Sequence, residues 1–378
     1  MNTTAPAPVA HHASHGKLLT RVDVADCPPG RVDAIVVPTN RPWRHLEKAV
    51  GVAADLGRPL VVLASGAAAP DRAAKLARTR GVEALVVDVR ALPASLMPRL
   101  SATAKVLSPT EFVRHTDTSF KRNLGLLVSR VVGWDRVAFL DDDITVPAPA
   151  DLDAAAGLVS EGYAAVGLEV GGFPDNSVVC HAHRETGGDQ GTFIGGGALV
   201  IGRESMTSFF PTIYNEDWFF LLDEAGLRRS AVTGRVRQKP YDPFATEQRA
   251  EMEEFGDCLA EGVFALLDDD GGFEAAGDEG YWEKFLHSRV ALIDGILGRI
   301  RSRGRPDDEA MLMEIALRAA RKRCEAIPPS LCVRYLKALA QDRRAWAAHV
   351  GTFPRGAADL RGAVTELRLV GHATYVAP

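Results

Sequence analysis

Several things are scarce in this sequence, and each scarcity narrows what the chain can be. Cysteine numbers five in 378 residues. Cys27, Cys180, Cys258, Cys324 and Cys332 are scattered, with no CxxC pair and no zinc-type grouping, so the pattern is that of reduced, mostly buried thiols rather than a disulfide scaffold. No apolar run approaches the roughly 20 residues needed to span a bilayer. Residues 1–17 lack the apolar centre of a signal peptide. Together these predict a cytoplasmic protein with no transmembrane segment. Surplus charge is also small: 44 Lys plus Arg stand against 49 Asp plus Glu, a net charge of −5. That balance gives no general attraction to nucleic acid or to an anionic membrane. Internal repeats are absent. What is present is an ordinary globular balance, 46% hydrophobic and 25% charged, in a chain long enough for a large core.

Residues 1–30 read as a flexible arm carrying His11, His12 and His15. Strand and helix signals then alternate. Ala34–Val37 is an apolar strand stopped by Pro38. Trp43–Leu56 has helical spacing, and Leu60–Leu63 is a second strand. A helix capped by Asp71 runs towards Arg80, followed by a third strand over 82–89. Asp117, Thr118 or Ser119 caps a helix with Leu124, Leu127, Val128 and Val131 on one face. Arg136–Leu140 is the fourth strand. This order predicts a mainly parallel sheet with helices on both faces. Beyond it come a helix near 152–160, a strand near 164–168, a loop over 171–191, a strand over 198–201 and a helix starting at Asn215 or Glu216. The acidic, Gly-rich stretch around 268–280 marks a boundary, after which the chain is largely helical. The expected organisation is an arm (1–30), an α/β catalytic domain (31–265), a linker (266–280) and a helical C-terminal extension (281–378) that shapes a pocket or makes a homodimer interface.

In open α/β sheets ligands bind beyond the carboxyl ends of the strands. Two segments fall there: Pro38-Thr39-Asn40 and Asp141-Asp142-Asp143. On a continuing strand Asp141 and Asp143 share one side and Asp142 takes the other. Two carboxylates on one side suit a hard cation, Mn²⁺ or Mg²⁺, which relieves their mutual repulsion and leaves positions for phosphate oxygens.

The segments Val36–Asn40, Lys121-Arg122-Asn123-Leu124-Gly125 and Phe139–Ile144, taken together, resemble the family 2-like GT-A glycosyltransferases over roughly residues 32–220. Their order and spacing are also similar to the UDP-arabinopyranose mutases and reversibly glycosylated proteins, which share that fold. The resemblance implies a Rossmann-like GT-A fold and a nucleotide-diphosphate sugar donor of UDP or GDP type. Pro38, Thr39 and Asn40 would lie beside base and ribose. Asp141 would contact ribose or metal, Asp143 would ligate the metal, and Arg122 would approach the donor, where its fork suits phosphate. The family's acidic base reader after the second strand is missing: Ser65 stands there, with Asp88 after the third strand as a substitute.

Glu216 and Asp217 precede an apolar helix face and resemble the family's acceptor-side pair, in which one carboxylate is the general base. Such a base is needed because a sugar hydroxyl is a poor nucleophile. Asp217 is preferred as base and Glu216 as an acceptor contact, although the spacing does not order them. Gly196 and Gly197, in the Gly195–Gly197 triplet, offer side-chain-free backbone beside the donor sugar, or a tight turn. His181 and His183 would share one side of an extended loop and meet a metal, an acceptor or a phosphate. Lys239 and Tyr241 sit in a basic, aromatic run (235–244) that folds over the diphosphate, holds an anionic acceptor, or is a surface loop. The expected activity is metal-dependent sugar transfer from a nucleotide sugar to a small-molecule or glycan hydroxyl, inverting by preference. The alternatives are a nucleotide-sugar mutase and a non-catalytic nucleotide-sugar-binding scaffold.

Overall fold

The protein is described from a computed structural model, which covers residues 15–173, 177–189, 191, 193–303 and 307–378. His11 and His12 lie outside the described residues.

In chain order the strands are β1 (Thr20–Arg21), β2 (Ala34–Thr39), β3 (Leu60–Ala64), β4 (Ala84–Asp88), β5 (Arg136–Leu140), β6 (Ile144–Thr145), β7 (Ala165–Gly171), β8 (Ala198–Gly202), β9 (Ser230–Gln238) and β10 (Ala373–Val376). The helices are α1 (Glu47–Leu56), α2 (Pro70–Thr79), α3 (Ser101–Leu107), α4 (Thr118–Val132), α5 (Ala150–Ser160), α6 (Val178–Glu185), α7 (Glu216–Phe220), α8 (Glu247–Asp268), α9 (Glu279–Ser302), α10 (Asp308–Glu325), α11 (Pro329–Gly351) and α12 (Ala363–Glu366).

One sheet runs β1-β9-β7-β8-β5-β2-β3-β4-β10, with β6 paired to β9. The β2–β3, β3–β4 and β2–β5 pairs are parallel. β8 is antiparallel to both β5 and β7, so β5 and β7 run the same way, and β9 follows β7. The carboxyl ends of β2, β3, β4, β5, β7 and β9 therefore meet at one edge, together with the residues entering β8. Both sheet faces are covered. Val36, Val61, Leu63 and Phe139 pack towards α4 and the later helices. Ile35, Val37, Val62 and Leu140 pack on the other side with α1, α2 and α5. Strands buried on both faces read as unbroken apolar runs, as these do. The expected α/β class, with a mainly parallel sheet and a helical C-terminal part, is what the structure has.

Several local expectations are corrected. Residues 15–30 are built in: β1 pairs with β9, and His15 is buried against Glu261. Helix α2 is opened by Pro70 at its first position with Ala69 as cap, and Asp71 falls inside the first turn. Asp117 is the cap residue of α4 but makes no capping bond; its carboxylate takes the Lys121 ammonium, 2.7 Å away. The stretch 171–191 contains α6, capped by the Ser177 hydroxyl, which accepts from the Cys180 amide. Residues 266–268 close α8, and residues 273–277 form a 3-10 turn packed on α8 and α9. The core on the α4 face runs without a break from Val36 and Phe139 to Phe264 in α8, Trp282 in α9 and Trp346 in α11. The chain end returns to the sheet as β10, antiparallel to β4.

Candidate active site

Helix α4 reaches the strand ends through three consecutive polar residues, all buried. It can lie close on the sheet because Gly125 has no side chain: a Cβ there would stand 2.8 Å from Val36 Cγ1. Lys121 Nζ donates to Thr39 O (2.9 Å) and Ser65 Oγ (2.7 Å), tying together the ends of β2 and β3. Asn123 bonds Phe210 in both directions, Nδ2 to O at 2.9 Å and Oδ1 from N at 2.8 Å. This clamp holds the segment that leads into α7.

Arg122 lies between them at the centre of the site. Its Nη1 donates to Glu216 (2.9 Å) and its Nη2 to Asp141 (3.1 Å), while its guanidinium lies over the Phe210 ring. Burial opposes its charge, but Asp141, Glu216 and Asp217 outweigh that and hold it above its ordinary value. Arg114 reaches Glu216 from the other side at 3.7 Å.

Asp217 is set by backbone. Gly196 N donates to its Oδ2 at 2.6 Å, and Trp218 N to its Oδ1 at 3.0 Å. A Cβ on Gly196 would stand 2.6 Å from Arg122 Nη1 and 2.8 Å from Asp217 Cβ, so only glycine fits. Gly197 O accepts from Asp141 N at 2.8 Å, which completes the ring of contacts. Burial and the neighbouring Glu216 push the Asp217 carboxyl up to about 7, against the opposing pull of Arg122 and the two amides. Asn215, in the left-handed region at φ 59°, stands at the N-terminal position of α7 without a side-chain capping bond and instead donates to Asp257 at 3.1 Å. Asp257 is gripped in turn by the buried Arg289, so α7 is anchored to α8 and α9.

The acidic triplet is arranged differently from the expectation. β5 stops at Leu140, and residues 142 and 143 form a turn, so alternation along a strand no longer applies. Asp141 faces Arg122. Asp142 Oδ1 and Asp143 Oδ2 converge on one nitrogen, Arg41 Nη2, at 2.8 Å each. Thr39 Oγ1 donates to Asp142, and Gln238 Nε2 to Asp143 at 3.0 Å. Arg41 is 40% exposed. Among the described residues, the groups offering three ligand atoms within 4.8 Å are Glu254/Cys258/Cys324 and Cys180/Asp257/Glu261, and the aspartates are not one of them. Their oxygen-only donors nevertheless suit a hard cation, and a guanidinium nitrogen marks the point where Asp142 and Asp143 converge.

The remaining expected residues separate. Pro38 is buried in β2, and Asn40 is exposed just beyond it. Ser65 is occupied by Lys121. Asp88 pairs with Arg90. His181 and His183 are two apart on a helix and so diverge. His181 contacts Tyr241 Oη at 3.0 Å and stacks on Phe173, and burial with Arg184 and Arg249 nearby lowers it to about 3. His183 meets Arg299 Nη2 at 2.9 Å, and burial and that charge lower it too. Neither imidazole is placed as a cation for a phosphate. Lys239 N donates to Asp143 O at 3.2 Å, and two residues on, Tyr241 helps line a cavity of about 590 Å³ with Phe173, His181 and Phe244. Sequence reasoning missed Arg41, Lys121, Arg114 and Gln238. Arg41 adjoins the Val36–Asn40 segment, Lys121 opens the Lys121–Gly125 segment and Gln238 lies in the 235–244 run, so those three stood in or beside segments already singled out.

No protein-family model matches the chain, and no curated protein does. Among solved structures it is similar to S. aureus TarS 1–349, crystallised in complex with UDP-GlcNAc. The identity is 11% over 78% of this chain and 90% of that one, with a TM-score of 0.34. The sheet topology, not this distant likeness, carries the fold assignment. Among the described residues no helix is long and apolar enough to cross a membrane.

Proposed function

We propose that the chain is a GT-A-type glycosyltransferase that moves a sugar from a nucleotide diphosphate to a hydroxyl acceptor. The observation that carries this reading is Asp217: a carboxyl pushed up to about 7, fixed by two amides, beside an arginine that bridges Glu216 and Asp141 at the carboxyl edge of the sheet. A general base works best with its pKa near the working pH. In the proposed step Asp217 takes the proton of the acceptor hydroxyl as that oxygen bonds to the anomeric carbon. The bond from the anomeric carbon to the diphosphate oxygen breaks, and the nucleoside diphosphate leaves with the electron pair. Inversion follows from this single displacement. Arg122 and Arg41 place positive charge at the edge where the diphosphate develops charge. Glu216 holds Arg122 and Arg114 in place. Pro38, Thr39 and Asn40 form the wall for base and ribose, and the aromatic cavity at Tyr241 is the acceptor side. A divalent ion, when bound, would be held by Asp142 and Asp143 and would supply Lewis-acid stabilisation to the departing diphosphate.

The test is calorimetric titration of UDP-, GDP- and dTDP-sugars with and without Mn²⁺, followed by product analysis. One donor should bind, and Asp217→Asn should keep that binding while losing turnover. If no nucleotide sugar binds under either condition, the assignment fails. Ring interconversion of the donor without any acceptor would make the protein a mutase.

A further inference from the structure

Between α3 and the segment leading into α4 lies a second cavity, of about 640 Å³. That size suits a small organic ligand. Its lining runs from the buried Leu107 and Phe209, through the half-buried Val113, to the exposed Ala104. Such a wall favours a hydrocarbon body leaving water.

The polar lining is one-sided in its free groups. Glu111, the acid there, is taken by Arg323 Nη1 at 2.6 Å. The Thr103 hydroxyl donates to Asp342 and the Thr110 hydroxyl to Leu107 O, each at 2.7 Å. Arg114 is only partly engaged. Its Nη1 donates to Ile213 O at 2.9 Å and stands 3.7 Å from Glu216 Oε2, the latter beyond hydrogen-bond reach. Its side chain is 21% exposed, and Nε and Nη2 make no hydrogen bond among the described residues and are not sealed from solvent. Those two nitrogens form one edge of the guanidinium, the parallel pair of donors that grips an oxyanion. His115, the next lining residue, is exposed and likewise makes no hydrogen bond among the described residues. An apolar wall thus ends at two adjacent donors, one of them always charged.

We propose that this cavity binds a small free amphipathic oxyanion, an apolar body ending in a carboxylate or phosphate. The head would meet the open edge of Arg114 and the His115 ring, and the body would lie on Leu107, Val113 and Phe209. The cavity borders the candidate active site without being part of it. Glu216 gives Oε1 to Arg122 and faces Arg114 with Oε2. An anion that draws Arg114 into the cavity would loosen the second of these contacts, so occupancy would be felt at Glu216. Binding there does not require that the chain transfers a sugar.

The experiment is calorimetric titration of the full chain with octanoate, with acetate and octanol as the head and the tail alone. Octanoate should bind, octyl phosphate should compete with it, and acetate and octanol should each bind about tenfold more weakly or worse. Arg114→Gln should weaken octanoate about tenfold or more. Ala104→Phe, at an exposed helix position, should abolish binding by filling the cavity while leaving the unfolding midpoint unchanged. Should Arg114→Gln fail to fold, Ala104→Phe decides alone. No octanoate binding in the parent, octanol binding as tightly as octanoate, or undiminished octanoate binding in either variant overturns the proposal.

Discussion

At the residue scale the site turns on one carboxyl. Because the Asp217 pKa is raised from 3.8 to about 7, the native state binds a proton that the unfolded chain releases near pH 4. This group's contribution to stability is therefore present at low pH and lost as pH rises through that window to about 7. Asp217→Asn, unable to ionise, should lose less stability than the parent as pH rises from 5 to 8, read as a shallower pH dependence of the denaturant midpoint, although its carboxamide can accept from only one of the two amides. Its turnover should fall by about 10²–10⁴. In the parent, kcat/KM should rise with pH up to a limb near 7, and a flat profile would remove Asp217 as base. Gly196→Ala is expected to be nearly as damaging, because its methyl would meet Arg122 and Asp217 at once. The reading is a loss of at least about tenfold in kcat/KM with the circular dichroism spectrum unchanged.

Among elements, α4 decides the most. Its Lys121-Arg122-Asn123 run is a polar patch where a helix packed on a sheet would ordinarily be apolar, and each member has a different strand or loop to hold. Asn123→Ala would free the Phe210 segment that carries α7 and leave buried backbone groups unpaired. The expected cost is about 1–3 kcal/mol, read from denaturant unfolding, with a fall in kcat larger than any rise in KM. Helix α6 shows where local reasoning goes astray. Glycines at 171, 172, 187 and 188 read as loop, yet Gly171 ends β7 and Gly187 follows close on α6. The eight residues of α6 are too few for a strong helical period, and the signal that was available was Ser177 as a cap.

At the scale of the molecule, the core on the α4 face is shared by the sheet and the C-terminal helices. Calorimetric melting should therefore show a single cooperative transition rather than separate transitions for residues 31–265 and 281–378; two resolved peaks would contradict this. Removing 371–378 strips β10 from β4 and should lower the midpoint of that same transition without splitting it.

The alternation of apolar runs with helical spacing was enough, by itself, to establish the α/β class, and it put Thr39 and Asp141–Asp143 beyond the carboxyl ends of the strands; Arg122 and Asp217 were singled out by the resemblance. Strand ends of a parallel sheet collect on one side whatever the details, so position along the chain already implied position in space. The partners of those residues were a tertiary matter. Whether Asp143 shares a cation with Asp141 or with Asp142 depends on β5 ending one residue before the triplet. Why Gly196 must lack a side chain, and where Arg41, Arg114 and Gln238 point, depends on segments separated by up to about a hundred residues in the chain. Such contacts are set by packing between elements, and no local pattern encodes them.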